Sequence, residues 1–228
     1  KYGASPVAWE VRFTGRLHFI NRFVNYPDVA NEQSLDRFFG TTNWRDIRNA
    51  TDREGASVDL YKEQLRTTGA YAYVTSTRIL KPLHERAYFH LAYATRNPKG
   101  ISKFRDVEKQ TVREQEAVRV TAQREHREQS SGQTEIAFEP TGELSSSIQG
   151  ERVRRLQEAE QRLYSLLRRG PMPYEKLQPR ILELRLVWKS DFDTMLVLAH
   201  KEGRLAIQGL EPRQRNPKAG NIIEFPEQ

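Results

Sequence analysis

Apolar and polar positions alternate with period two over Tyr71–Leu80 and Ala87–Thr95, two runs rich in aromatic and β-branched residues. Tyr71, Tyr73, Thr75 and Thr77 fall on one side, and Ala72, Val74 and Ser76 on the other. This is the signature of paired strands. A short polar link joins the runs, and Pro98 and Gly100 stop the second one. The hairpin is expected to close one edge of an α/β sheet. Upstream, Val7–Phe13 reads as a strand. Leu17–Val24 reads as a helix with Leu17, Ile20, Phe23 and Val24 at helical spacing, interrupted at Pro27. Glu32–Phe39 predicts a short helix with Leu35, Phe38 and Phe39 inward, ended by Gly40. Trp44–Arg48 and Val58–Thr67 predict further helical pieces, separated by the turn-rich Asn49–Gly55.

Beyond Gly100 a helix is expected to start at Ser102 and run through the charged region. The signs alternate over Lys103–Glu128, which reads as a solvated face. Phe104, Val107, Val112, Val118 and Val120 could form a weak seam for a partner helix. Gln129–Gly150 is rich in Ser, Gly, Thr and Glu and reads as a flexible connector. Glu151–Arg169 predicts a helix with an apolar stripe of Val153, Leu156, Leu163, Leu166 and Leu167, stopped by Gly170-Pro171-Met172-Pro173. A second helix spans about Tyr174–Val187, bent at Pro179. Ser190 or Asp191 can cap a third, with Met195, Leu196 and Leu198 inward and Gly203 at its end. Then come a strand at Arg204–Gln208, a basic loop at Glu211–Gly220 and a returning strand at Asn221–Phe225. Helix, helix, helix, strand, wing, strand is the order of a winged helix. The expected domains are therefore an α/β domain over residues 1–128, a linker over 129–150 and a winged-helix-like domain over 151–228. No repeat of solenoid spacing occurs.

Charge sharpens this picture. The formal net charge is +7. Lys and Arg outnumber Asp and Glu by 15 to 10 in Lys1–Gly100 and by 15 to 11 in Glu151–Gln228, but fall short by 7 to 9 in Ile101–Gly150. Positive charge thus sits in the two blocks expected to fold, a balance that favours contact with nucleic acid or another polyanion. There is no cysteine, which excludes a disulfide scaffold, thiolate-bound zinc, an iron–sulfur cluster and thiol catalysis within these residues. No apolar run approaches membrane-spanning length, and Lys1–Glu10 has no signal-peptide core, so a cytoplasmic location is expected. The chain begins with Lys rather than Met, from which an N-terminally incomplete domain is expected.

Ile20-Asn21-Arg22-Phe23, Phe38-Phe39-Gly40-Thr41 with Trp44-Arg45, and the hairpin ending in Ala94-Thr95-Arg96-Asn97-Pro98-Lys99-Gly100 occur in that order. In these motifs the chain resembles the three-Cys-motif partner proteins, bacterial proteins with a class I methyltransferase-like domain. That family is paired with a three-cysteine protein that looks like a radical S-adenosylmethionine enzyme. The Leu186–Ile207 run looks like the small helical domain that often ends such proteins. The resemblance implies the back half of a Rossmann-like methyltransferase sheet closed by an antiparallel hairpin, S-adenosylmethionine as cofactor, and a radical-type protein partner. It also implies action on nucleic acid, or a place in an anti-phage defence or mobile-element system. The family's Asp-Pro-Phe-Gly motif is absent, and so is any Gly-x-Gly nucleotide loop. Either the cofactor ligands lie before Lys1, which the Lys start favours, or this protein has lost that half, and methyl transfer is not assigned to these residues.

The chemistry-bearing candidates are cationic. Arg213, Arg215 and Lys218 in the basic loop, with Arg204 just before it, suit a phosphate backbone. Asp191 and Asp193 oppose that reading, because they stand in the first turn of the helix that would approach a groove. They also suit the positive end of the helix dipole. Two readings therefore stand for this domain, nucleic-acid binding and partner docking. Arg96 and Lys99 either face a phosphate-bearing substrate or belong to a polar turn closed by Pro98 and Gly100. Asn21 and Arg22 either orient a substrate or cap and snorkel. His18, His84, His90, His126 and His200 show no metal-ligand spacing, and no Gly-x-Ser-x-Gly elbow supports a hydrolytic triad.

Overall fold

The computed structural model describes residues 28–134 and 144–226, residue 24, and the backbone of residues 11–15. The expected helix over Leu17–Val24 therefore falls outside the described residues except for Val24, as does the start of the Val7–Phe13 strand. The fold is mixed α/β with small antiparallel sheets. It divides into two units, one of Lys1–Arg96 with Val112–Glu143 and the other of Asn97–Thr111 with Leu144–Gln228.

The first unit contains β1 (Val11–Gly15), α1 (Val29–Phe39), a 3-10 turn (Asn43–Asn49), α2 (Arg53–Thr67), β2 (Tyr73–Leu80) and β3 (Ala87–Thr95). The strands form an antiparallel sheet in the order β1-β3-β2. The hairpin pairs Tyr73 with Thr95 at one end and Leu80 with Ala87 at the other, with a bulge at Ile79/Leu80. Val74 to Thr77 are buried in succession, so the middle of β2 is covered on both faces. Period-two alternation marks the strand but does not say which face is wet.

The region that carried the FFGT and WR motifs is a packing unit. Asp28 caps α1 by accepting from Ala30 N–H, and Gly40 ends it in the left-handed conformation at φ 66°. Leu35, Phe39, Trp44, Ile47 and Val24 form one buried cluster, with Phe38, Ala56, Leu60 and Tyr61 against it. Trp44 donates its Nε1–H to Asp36 at 2.7 Å, and the Arg45 and Arg48 guanidiniums lie over its ring. Glu32 accepts from both arginines. A Cβ at position 40 would meet nothing closer than Gln64 Oε1 at 3.9 Å, so the left-handed backbone alone penalises an alanine. Gly40→Ala is expected to cost about 1 kcal/mol in chemical denaturation.

Folding also holds two carboxyls of this region below their ordinary range. Hydrogen bonds from Arg48 and then Arg45 lower Glu32, and the Trp44 hydrogen bond leads in lowering Asp36. The stability they contribute is complete above their unfolded values near pH 4 and is lost as pH falls through the lowered ones. Asp36→Asn is expected to flatten that acid limb of thermal stability, and scans from neutral pH to about 3 would show it.

α3 (Pro98–Ser131) is one helix of 34 residues. Its turns up to Thr111 belong to the second unit and those from Val112 to the first. Its charged run is not simply the solvated face expected from the sequence. Arg105, Glu108, Glu116 and Arg119 are all buried, at 0–3% exposure, between Ile101 and Val112 or just beyond. Each acid pairs with the arginine three residues away. In the first unit Arg119 also holds Glu85 at 2.6 Å, and the Gln115 side chain accepts from Leu80 N–H. Of the suggested seam residues, Val107, Val118 and Val120 are exposed whereas Val112 is buried.

The second unit continues with α4 (Ser146–Leu167), β4 (Met172–Pro173), α5 (Tyr174–Ile181), α6 (Lys189–Lys201), β5 (Ala206–Gln208) and β6 (Ile222–Glu224). α4 starts five residues before the expected Glu151, capped by Ser145, inside the stretch read as connector. Its buried stripe is Ile148, Glu151, Ala159, Leu163 and Leu167, while Val153 is exposed. α5 ends at Ile181, and the following 182–188 segment is a buried turn rather than helix. Leu186 there adopts φ 60°. Glu108 accepts its N–H, and Arg152 donates to its C=O. The short strands pair antiparallel in the order β4-β6-β5.

Candidate nucleic-acid interface

The loop Glu211–Gly220 joins β5 to β6, the central strand of its sheet. Glycines bracket it in the positive-φ region, Gly209 at 73° and Gly220 at 93°. Pro217 is buried, and Gly220 N–H donates to the Glu175 carboxylate at the start of α5. Glu175's own backbone N–H, and after it that bond, hold its carboxyl below the usual range. Gln214 turns inward, donating to Asn216 C=O at 2.9 Å and to Asn221 Oδ1 at 2.6 Å. The flanking Arg213 and Arg215 are exposed, and neither has a partner among the described residues. Lys218 pairs with Glu211 at 3.1 Å, but both side chains are more than half exposed. Such a pair is weak and gives way readily to another anion.

An open groove of about 400 Å³ adjoins this loop. Asn216 contributes from the loop, Lys189, Ser190 and Thr194 from α6, and Asp106 and Lys109 from α3. The groove thus brings loop and helix start to one surface. Sequence reasoning missed Lys109 and Asn216, whose neighbours in space are far away in the chain. Ser190 and Asp191 are the expected caps of this helix, but Trp188 takes the cap position instead.

The two acids at the start of α6 are both committed inward. Asp191 accepts from Trp188 N–H at 2.8 Å and is gripped by both terminal nitrogens of Arg152, whose guanidinium lies 3.8 Å from the centre of the Trp188 ring. Asp193 is buried, accepting from Tyr174 O–H at 2.6 Å and from Lys189 Nζ. The Tyr174 hydroxyl is pushed far up by burial and by the Asp193 carboxylate, so it stays a donor. The exposed positions of α6 are Lys189, Ser190, Thr194, Leu198, His200 and Lys201, and of these Ser190, Thr194, Leu198 and Lys201 are spaced along one face. Leu198, expected inward, is 48% exposed.

The other predicted cations have local duties. Arg204 is held by Glu160 and Glu202 and lies over the Tyr164 ring, and the two carboxylates raise its guanidinium further above its ordinary value. Two acids already neutralise it, which makes it a poor phosphate ligand. Arg96 donates to the carbonyls of Gly69 and Ala70 and stacks on Tyr71 at 4.6 Å. This fixes the entry into β2, where Ala70 has φ 51°. The Lys99 N–H is taken by Asn97 Oδ1, and Gly100 N–H by Asn97 C=O, the bonds of a polar turn opening α3. Lys99 keeps an exposed side chain.

The described residues do not fit an S-adenosylmethionine cradle. Both sheets are antiparallel, and β3 passes into α3 through Arg96 and Asn97, whose backbone neighbourhood is closed by the turn bonds above. Cofactor sites of open α/β sheets lie at the carboxyl ends of parallel strands with a glycine-rich turn. No methyl-transfer step is derived from these residues. Among the described residues there is also no cluster of His, Asp or Glu able to hold a metal ion, and no helix is long and apolar enough to cross a membrane. No family model, no curated protein and no solved structure matches the chain.

Proposed function

We propose that the second unit is a winged-helix-like module that binds duplex DNA, with α6 toward the major groove and loop Glu211–Gly220 along the phosphates. The element order of three helices around a short strand, followed by a strand–loop–strand, and the sheet order β4-β6-β5 support the module. One observation carries the ligand. The free guanidiniums of Arg213 and Arg215 stand on a tied-down loop that shares a groove with the start of α6, whose two carboxylates are already neutralised by Arg152 and Lys189, with a further hydrogen bond from Tyr174. The repulsion that an acidic helix start would exert on phosphates is thereby largely removed.

The exposed stripe Ser190, Thr194, Leu198 and Lys201 is narrow and bears no carboxylate. A B-form major groove admits a helix, whereas the deep, narrow A-form groove does not, so DNA is favoured over duplex RNA. Fluorescence-anisotropy titration of labelled DNA and RNA duplexes across a salt series tests the reading. Salt-dependent binding that prefers DNA supports it, and salt-independent or absent binding removes it.

A further inference from the structure

One side chain ties loop 211–220 at its entry, its tip and its exit. Asn221 is buried, 2% exposed, at the point where the loop re-enters β6. Its Nδ2 donates to Gly209 C=O at 2.7 Å and to Gln208 C=O at 3.3 Å, the two residues that lead into the loop. Its Oδ1 accepts from Gln214 Nε2 at 2.6 Å, near the tip, and from Lys218 N–H at 2.8 Å, on the descending arm. A carboxamide has two donor hydrogens and two acceptor lone pairs, and all four are in use here. Asn221 therefore has no capacity left for a ligand. Its backbone also joins in, accepting from Tyr174 N–H and donating to Lys218 C=O.

We propose that Asn221 is a positioning residue for duplex binding. It joins the entry, tip and exit of the loop, and thereby sets Arg213 and Arg215 outward on either side of the inward Gln214. This rests on the nucleic-acid reading above. A loop ordered beforehand loses little freedom on binding, whereas an unanchored one must be ordered by the ligand, which weakens affinity without changing how many phosphates are met. Asparagine is required because aspartate would keep the acceptors but lose the donors to Gln208 and Gly209, and would place an unpaired charge in a buried site.

The experiment pairs binding with limited proteolysis on the intact chain. In Asn221→Ala, trypsin cleavage after Arg213, Arg215 and Lys218 should quicken, and Kd for a DNA duplex should rise about fivefold to tenfold with the salt slope unchanged. Gln214→Ala, which removes one tie without touching the sheet, should move both readouts the same way by less. It decides the matter if circular dichroism shows Asn221→Ala unfolded. Unchanged cleavage and affinity in a folded variant overturn the proposal, as does a lowered salt slope, which would make Asn221 a contact. The two readings fail separately. Loss of binding in Arg213→Ala/Arg215→Ala with full binding in Asn221→Ala retires the positioning role alone, while a wild-type chain that does not bind duplex retires both.

Discussion

Replacing Arg105 by alanine is expected to lower the stability of the second unit by about 3–5 kcal/mol, as breaking a buried ion pair does. No other charged side chain among the described residues is so fully buried. Its Nε donates to Leu182 C=O at 2.7 Å and another nitrogen to Glu183 C=O, while Glu108 lies 2.6 Å away. Burial lowers its guanidinium, with Glu108 and Glu183 acting against that. Truncation would strand two carbonyls and leave the Glu108 carboxylate without its countercharge, although that carboxylate also holds Leu186 in its left-handed conformation. For a unit of this size the loss corresponds to a fall in Tm of roughly 15 °C or more. The double change Arg105→Met/Glu108→Gln should cost less than Arg105→Ala alone, because removing both charges avoids an unpaired one. A double variant as damaged as the single would show that the packing of the 182–188 turn, not the charge, dominates.

The second large effect concerns binding. Arg213→Ala/Arg215→Ala/Lys218→Ala should reduce the steepness of log K against log salt by about 2–3, since each phosphate contact contributes about 0.9 on B-form DNA. At 0.1 M salt this amounts to a loss of affinity on the order of 100-fold. All three side chains are exposed, and Lys218 gives up only a surface pair with Glu211, so melting should stay close to wild type. Arg204→Ala is the control. With its charge already met by Glu160 and Glu202, it should leave the salt slope nearly unchanged. An unaltered slope in the triple variant would remove the loop as the contact.

Local chemistry made much of this fold legible. Gly40 was readable as a helix stop because only glycine rests easily at φ 66°, and the hairpin because its β-branched and aromatic runs end at turn residues. The order of the last three helices and two strands followed from Gly and Pro punctuation, whereas the short strand β4 lies in what read only as a helix stop. Two features were not legible, for one reason. Asp191 and Asp193 read as a repulsive helix start, yet the Arg152 guanidinium that neutralises Asp191 lies 39 residues away, and the Tyr174 hydroxyl that helps Lys189 hold Asp193 lies 19 away. Arg105 and Glu108 read as solvated because charge normally marks the wet face, and what buries them is a turn 77 to 78 residues downstream. Pattern shows what a segment can satisfy locally; it is silent where a distant segment supplies the cover or the hydrogen-bond partner. At the candidate site, Arg213, Arg215 and Lys218 are legible by charge alone, whereas Asn221, uncharged and buried, carries no signal of the role proposed for it.

The charged inner face of α3 has a consequence for the chain while it is being made. Asn97–Thr111 leaves the ribosome well before the segment from Leu144 onward that it packs with, and at about 5–20 residues per second the wait is on the order of 10 s. A face lined with leucines would spend that interval as a sticky target for chaperones or for neighbouring nascent chains. Here the waiting surface places Arg105 and Glu108 between Ile101 and Val112, and the pair can satisfy itself within one helical turn. The unit gives up some final stability by burying ions, and in return the short early segment Asn97–Thr111 presents a paired, hydrated surface until the rest of the unit is made.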